Sequence, residues 1–107
     1  MGKRAGNNAK PRGYIPASVR RNVKARDGVR CVYCNRRGRM HLDHVIPLIE
    51  GGKSAEGNLV VACARCNLRK GTMDLDLFGL WLERRTREPA GSILARVEQQ
   101  THRPIPE

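Results

Sequence analysis

Two short repeats constrain this chain more than any other feature: Cys31-Val-Tyr-Cys34 and Cys63-Ala-Arg-Cys66, which hold all four cysteines of its 107 residues. A Cys-x-x-Cys turn points two sulfurs the same way, and two such turns facing each other build a tetrahedral four-thiolate zinc site. Disulfides are the competing use of the same residues. The N-terminal stretch is polar and basic, with no apolar run that would mark a secretory leader, so a reducing, cytoplasmic setting is expected and zinc is favoured. A redox role would explain one pair and leave the other unused. Aromatic residues make up only 4% of the chain, so the core of this single small domain is modest and a metal staple supplies order that burial alone does not.

Charge gives the second constraint. The formal net charge is +11, with 21 Lys and Arg against 10 Asp and Glu. From Met1 to Arg39 there are twelve bases and one acid, Asp27, while in the remainder nine bases and nine acids cancel. An N-terminal third of that kind suits a polyanion, neutralising phosphates and releasing counterions. A merely solvated tail is the bland alternative, and it does not account for a basic stretch leading straight into a metal knuckle. No segment approaches the roughly 20 apolar residues of a membrane span, so no membrane partner is expected.

Residues 1–15 are predicted to form a disordered basic arm, 16–88 a folded domain ending in a packing helix, and 89–107 a short helix with a flexible tail. A first helix runs from Pro16 to the Asp27-Gly28 stop signal. Met40 to Ile46 alternates as a strand, placing Met40, Leu42 and His44 on one face and His41, Asp43 and Val45 on the other. Asn58 to Ala62 reads as its antiparallel partner, and Cys63 to Lys70 as a helix stopped at Gly71. Thr72 or Asp74 can cap the next helix, whose Leu75, Phe78, Leu82, Leu77 and Trp81 form an apolar stripe. Phe78 and Trp81 are expected in the core before they are expected under nucleobases. Pro89-Ala90-Gly91 breaks that helix, and Ser92 can cap a last one over Ile93 to Gln100. Pro104 and Pro106 mark an unstructured end.

Between the two knuckles lie Asp43-His44 and Asn58, and the second knuckle runs into Asn67. Consecutive helical residues sit about 100° apart, so Cys66 can face a zinc while Asn67 faces another centre. Asp43 and Asn67 offer oxygen ligands, which suit Mg²⁺ or Mn²⁺. Asn58, able to donate and accept, is placed to clamp the main chain at His44. The four-cysteine site has no open position and is therefore structural.

Cys31, Cys34, Asp43-His44, Ile46-Pro47, Gly51-Gly52, Asn58-Leu59, Cys63, Cys66-Asn67 and Lys70-Gly71, in this order, closely resemble the HNH endonuclease family. That resemblance implies an α+β fold, a small ββα-metal finger stapled by the cysteine site and carrying flanking helices. It also implies a DNA endonuclease with His44 as general base, Asn58 orienting it, and Asp43 and Asn67 on one catalytic divalent metal, which Ni²⁺ or Zn²⁺ could also supply. The family often has His where this chain has Asn67. Arg65, Arg69 and Lys70, on or beside the metal helix, could hold phosphates flanking the cut, and His41 is a further candidate on the Asp43 face. Small free-standing members of the family resemble bacterial and phage proteins, some of which work in a larger DNA-processing or packaging assembly. A non-catalytic zinc-ribbon module that only binds nucleic acid is the alternative.

Overall fold

The computed structural model describes residues 10–102. The first nine residues of the expected arm, and the tail with Pro104 and Pro106, lie outside the described residues. The elements in order are α1 (Ala17–Asp27), β1 (Met40–His44), β2 (Leu59–Cys63), α2 (Ala64–Lys70), α3 (Leu75–Thr86) and α4 (Ala90–His102), with single 3₁₀ turns at Leu48–Glu50 and Glu56–Asn58. The fold is α+β, as expected.

Local chemistry explains most boundaries. Pro16 precedes α1, and Gly28 closes it at φ +78°, its N–H bonded to the Lys24 carbonyl, in a region that L side chains enter only with strain. The Cys63 sulfur accepts from the Cys66 N–H and so caps α2. Asp74, rather than Thr72, caps α3 through the Asp76 N–H. The last helix departs from expectation, starting at Ala90 instead of Ile93. Pro89 opens it: its carbonyl accepts from the Ser92 and Ile93 N–H groups, and a Glu83 carboxylate oxygen takes the Ala90 N–H at 3.2 Å. Ser92 thus lies inside the first turn.

β1 and β2 pair antiparallel in a two-stranded sheet with Met40 opposite Cys63 and His44 opposite Leu59. The pairing puts the cysteine cluster at one end of the hairpin and His44 at the other, about 13 Å away along a strand rising about 3.3 Å per residue. α1, α2 and α4 all pack on β2, which is why Leu59, Val60, Val61 and Ala62 are all buried instead of alternating. Tyr33, Phe78, Leu82, Ile93 and Val97 complete the core. Tyr33 meets Phe78 edge-on at 5.1 Å, and Trp81 stacks on Phe78 at 5.7 Å, so both expected anchors join the core. Leu77, expected in the same stripe, is 60% exposed.

Two polar hubs hold the layers together. Arg26 and Asp27, the last residues of α1, form a buried ion pair at 2.7 Å. Arg26 also donates to the Glu56 and Leu59 carbonyls, while Asp27 accepts from the Val61 N–H and from Gln100. A charge pair is tolerated inside a small core when its donors and acceptors are used in this way. Arg26 is accordingly a structural residue, not part of the phosphate-facing charge to which the sequence assigned it. The second hub is Arg96 of α4, which donates to the Val32 and Tyr33 carbonyls at 2.6 and 3.0 Å and pairs with Glu88 at 2.7 Å. α4 therefore braces the first knuckle from behind, and its Ile93 and Val97 lie in the same core as Phe78 and Leu82.

Candidate functional site

The cysteine cluster is built by backbone turns. Cys34 N–H points to Cys31 Sγ and Cys66 N–H to Cys63 Sγ, at 3.4 and 3.5 Å, and Asn35 adopts φ +66° to turn the chain back. All four sulfurs lie within 4.8 Å of one another, and Cys34 and Cys63 are 3.8 Å apart. A zinc–sulfur bond of about 2.3 Å gives a tetrahedron with an edge of about 3.8 Å, so the donors fit the metal. The Cys31 thiol is lowered to about 5, chiefly by its hydrogen bond with Cys66. Burial pushes Cys34 up to about 11, and the bond to Cys31, then burial, push Cys66 upward. One thiolate forms here at its neighbours' expense, and ionising all four calls for a divalent cation. This cluster has the donors and the spacing of a structural zinc site.

At the other end of the hairpin, Asp43 is 5% exposed. Its Oδ2 accepts from the Tyr33 hydroxyl and lies 3.2 Å from the Lys70 ammonium. Burial raises its pKa, against the lowering effects of Tyr33 and Lys70. Next to it, His44 Nε2 meets Ser54 Oγ at 2.9 Å, and Nδ1 has no hydrogen-bond partner among the described residues. Burial, ahead of an opposing effect from Asp43, lowers the His44 pKa below its ordinary value, so the imidazole is neutral at physiological pH.

The expected Asn58 clamp exists, but two residues further along than expected. Asn58 accepts from the Ile46 N–H at 2.8 Å and donates to the Ile46 and Lys53 carbonyls at 3.0 Å each. It ties the chain leaving His44 to the loop that carries Ser54. Gly52 permits this close passage, since a Cβ there would stand 1.8 Å from the Ile46 carbonyl oxygen and 2.8 Å from Asn58 Nδ2. The His44 main chain itself is held by Lys70, which donates to its carbonyl at 2.8 Å.

Lys70 therefore corrects an expectation. It is 1% exposed, and its ammonium is used between Asp43 and His44, where it cannot meet an external phosphate. Asn67 lies one turn earlier on α2, near the Lys70 face, and is half-buried. Arg65 and Arg69 share a different face, about 200° from Asn67 by helix geometry. Arg69 lies 5.0 Å from the Trp81 ring centroid, so these two arginines are directed to the α3 side of α2, away from Asp43 and His44. His41 is exposed.

Asp43 and Asn67, the two oxygen ligands expected for a catalytic ion, would make a sparse donor set. It suits an ion that keeps most of its water, as Mg²⁺ does with one or two protein ligands, and Lys70 already contributes positive charge beside it. Among the described residues, the four cysteines form the one His, Cys, Asp and Glu group of metal-binding size. Sequence reasoning gave no role to Tyr33 or Ser54, and quoted Gly52 only as part of the motif. The tyrosine sits inside a Cys-x-x-Cys turn, and the other two lie in the Gly-Gly-Lys-Ser loop, where only the fold reveals a partner. No helix among the described residues is long and apolar enough to cross a membrane. Compared with known families, residues 31–73 match the family model described as HNH endonuclease. No curated protein matches the chain.

Proposed function

We propose, from the match of residues 31–73 to the HNH endonuclease family model, that this protein is a divalent-metal-dependent DNA endonuclease with His44 as its general base. The observation that carries this reading is the His44–Ser54 pair at 2.9 Å, one residue from the Asp43 carboxylate. When the Ser54 hydroxyl oxygen accepts a hydrogen bond from Nε2–H, Nδ1 carries the lone pair and can take a proton from an attacking water. Lys70 holds the His44 carbonyl, and Asn58 holds the backbone two residues further on, at Ile46. Asp43, through the oxygen not bonded to Tyr33, and Asn67 would hold the catalytic ion. When bound, that ion polarises the scissile phosphate and stabilises the departing oxygen. The basic N-terminal third supports DNA as substrate, with affinity drawn mostly from phosphates and therefore weak sequence selectivity.

The Asp43–Lys70 ion pair favours a second reading, a zinc-knuckle module that binds nucleic acid without cutting it. In that case the ammonium replaces the metal as the permanent partner of Asp43. Supercoiled plasmid incubated with Mg²⁺, Mn²⁺, Ni²⁺ or Zn²⁺ separates the two. Metal-dependent nicking that His44→Ala reduces by about 10²–10⁴-fold, with zinc content unchanged, is the expected result. Salt-sensitive binding with no nicking under any metal would establish the second reading.

A further inference from the structure

Opposite the Asp43–His44 centre, a cleft of about 340 Å³ opens beside the cysteine cluster. Its polar wall comes from three separate parts of the chain. Arg36, Arg37 and Arg39 follow the first knuckle, Arg65 lies on α2, Arg85 lies on α3, and Trp81 forms part of the floor. No Asp or Glu lines it. None of these five arginines forms a salt bridge among the described residues, where the ion pairs involve Arg26, Lys70 and Arg96. The Arg85 guanidinium sits 4.7 Å from the Trp81 centroid, and Arg69 lies at 5.0 Å from the same ring. The ring is itself stacked on Phe78 in the core. The Arg85 guanidinium on the cleft wall is thereby held in orientation before any ligand arrives, which lowers the entropy lost on binding.

Part of this charge balances the cluster next to it, because zinc with four thiolates carries a formal charge of minus two. Five guanidiniums exceed that. Such a surplus, gathered in one cleft with no carboxylate to relieve it, is costly in self-repulsion unless an anion is a partner. Planar guanidinium forks match phosphate oxygens in pairs.

We propose that this cleft is a second nucleic-acid contact, taking backbone phosphates of a strand that passes the zinc knuckle away from the cut. Phosphate is favoured over a stacked nucleobase because Phe78 lies against Trp81 and arginines lie over its ring. The inference rests on the reading that the chain binds DNA, and it assigns Arg65 to this contact instead of to the phosphates flanking the cut.

The test is equilibrium binding of a labelled DNA duplex to the full chain, by anisotropy across a salt series with no catalytic metal added, so that cleavage plays no part. The variants are Arg36→Gln/Arg37→Gln on the knuckle and Arg85→Gln on α3. Zinc content and thermal melting are measured on each. Each lost phosphate contact reduces the slope of log K against log salt by about 0.9. The expected result is therefore a fall of about two for the knuckle variant and about one for Arg85→Gln, with Arg36→Lys/Arg37→Lys restoring most of the slope. Should the knuckle variant lose zinc, Arg85→Gln decides alone, being on a different element. Wild-type affinity and slope in zinc-loaded variants would overturn the proposal. So would an acidic peptide that binds the wild type, is lost in the Arg36→Gln/Arg37→Gln variant and leaves DNA binding unaffected, which would identify a protein partner. A wild type that binds DNA with these slopes but never nicks it would refute the nuclease reading and leave the cleft assignment standing.

Discussion

The two ends of the β1–β2 hairpin are built on opposite plans although one short helix, α2, serves both. At the cysteine end four identical donors converge within 4.8 Å, a backbone N–H steadies a sulfur in each turn, and Arg96 braces the knuckle from outside. At the His44 end the groups are unlike one another: one carboxylate shared by a phenol and an ammonium, one imidazole on a serine, and the Asn67 amide on α2, without a side-chain partner among the described residues. A closed donor set can only hold its ion, which makes it a source of stability. An open, mixed set leaves atoms available to a water or a phosphate, which chemistry needs and stability does not.

That contrast is broken first by removing the zinc. Cys66→Ser, or chelation, is expected to unfold the domain, because structural zinc contributes about 10–16 kcal/mol and a small domain's net stability is about 5–15 kcal/mol. Loss of the circular-dichroism melting transition together with loss of bound zinc would show it. A variant that melts cooperatively without metal would overturn the assignment. Next comes Lys70→Ala, which leaves Asp43 buried and uncompensated. A loss of about 3–5 kcal/mol is expected in denaturant titration, and a near-neutral result would mean that water relieves that carboxylate. Asn58→Ala removes three hydrogen bonds around Ile46 and Lys53. Their partners are near the surface, so about 1–2 kcal/mol is expected, with added amide exchange confined to residues 46–58.

The smallest effect separates both ends from the periphery. Arg96 holds the Glu88 carboxyl below its usual 4.5. The folded value being depressed, the pair stabilises above the unfolded pKa and loses its contribution as pH falls through the folded one. Glu88→Gln should therefore cost under about 1 kcal/mol at pH 7, given partial exposure. The difference from wild type should close as the pH falls through the carboxyl's depressed value. A difference that persists at low pH would point to lost packing instead of charge.

Much of the fold was legible because it is encoded over short distances. Pro16, the Gly28 stop, the Asp74 cap and Gly71 act within a turn of their own position, and each produced the expected boundary to within a residue or two. Leu59 to Ala62 were recognisable as a strand, but their burial on both sides was not, since it depends on helices from both ends of the chain. The start of α4 was misplaced because Pro89 and the remote carboxylate of Glu83 outcompeted Ser92, a competition that composition does not reveal.

By itself the sequence determined the zinc knuckle, the ββα order and the Asp43-His44 pair, since Cys-x-x-Cys turns and strand alternation are local geometry. Tertiary structure alone decided where the long polar side chains go. Arg26, Lys70 and Arg96 look like any surface base in one dimension, yet their partners lie 33, 26 and 64 residues away. A flexible cationic side chain has no intrinsic preference among carboxylates, carbonyls and phosphates. The packed core, by removing water from some of those sites and leaving others open, makes the choice.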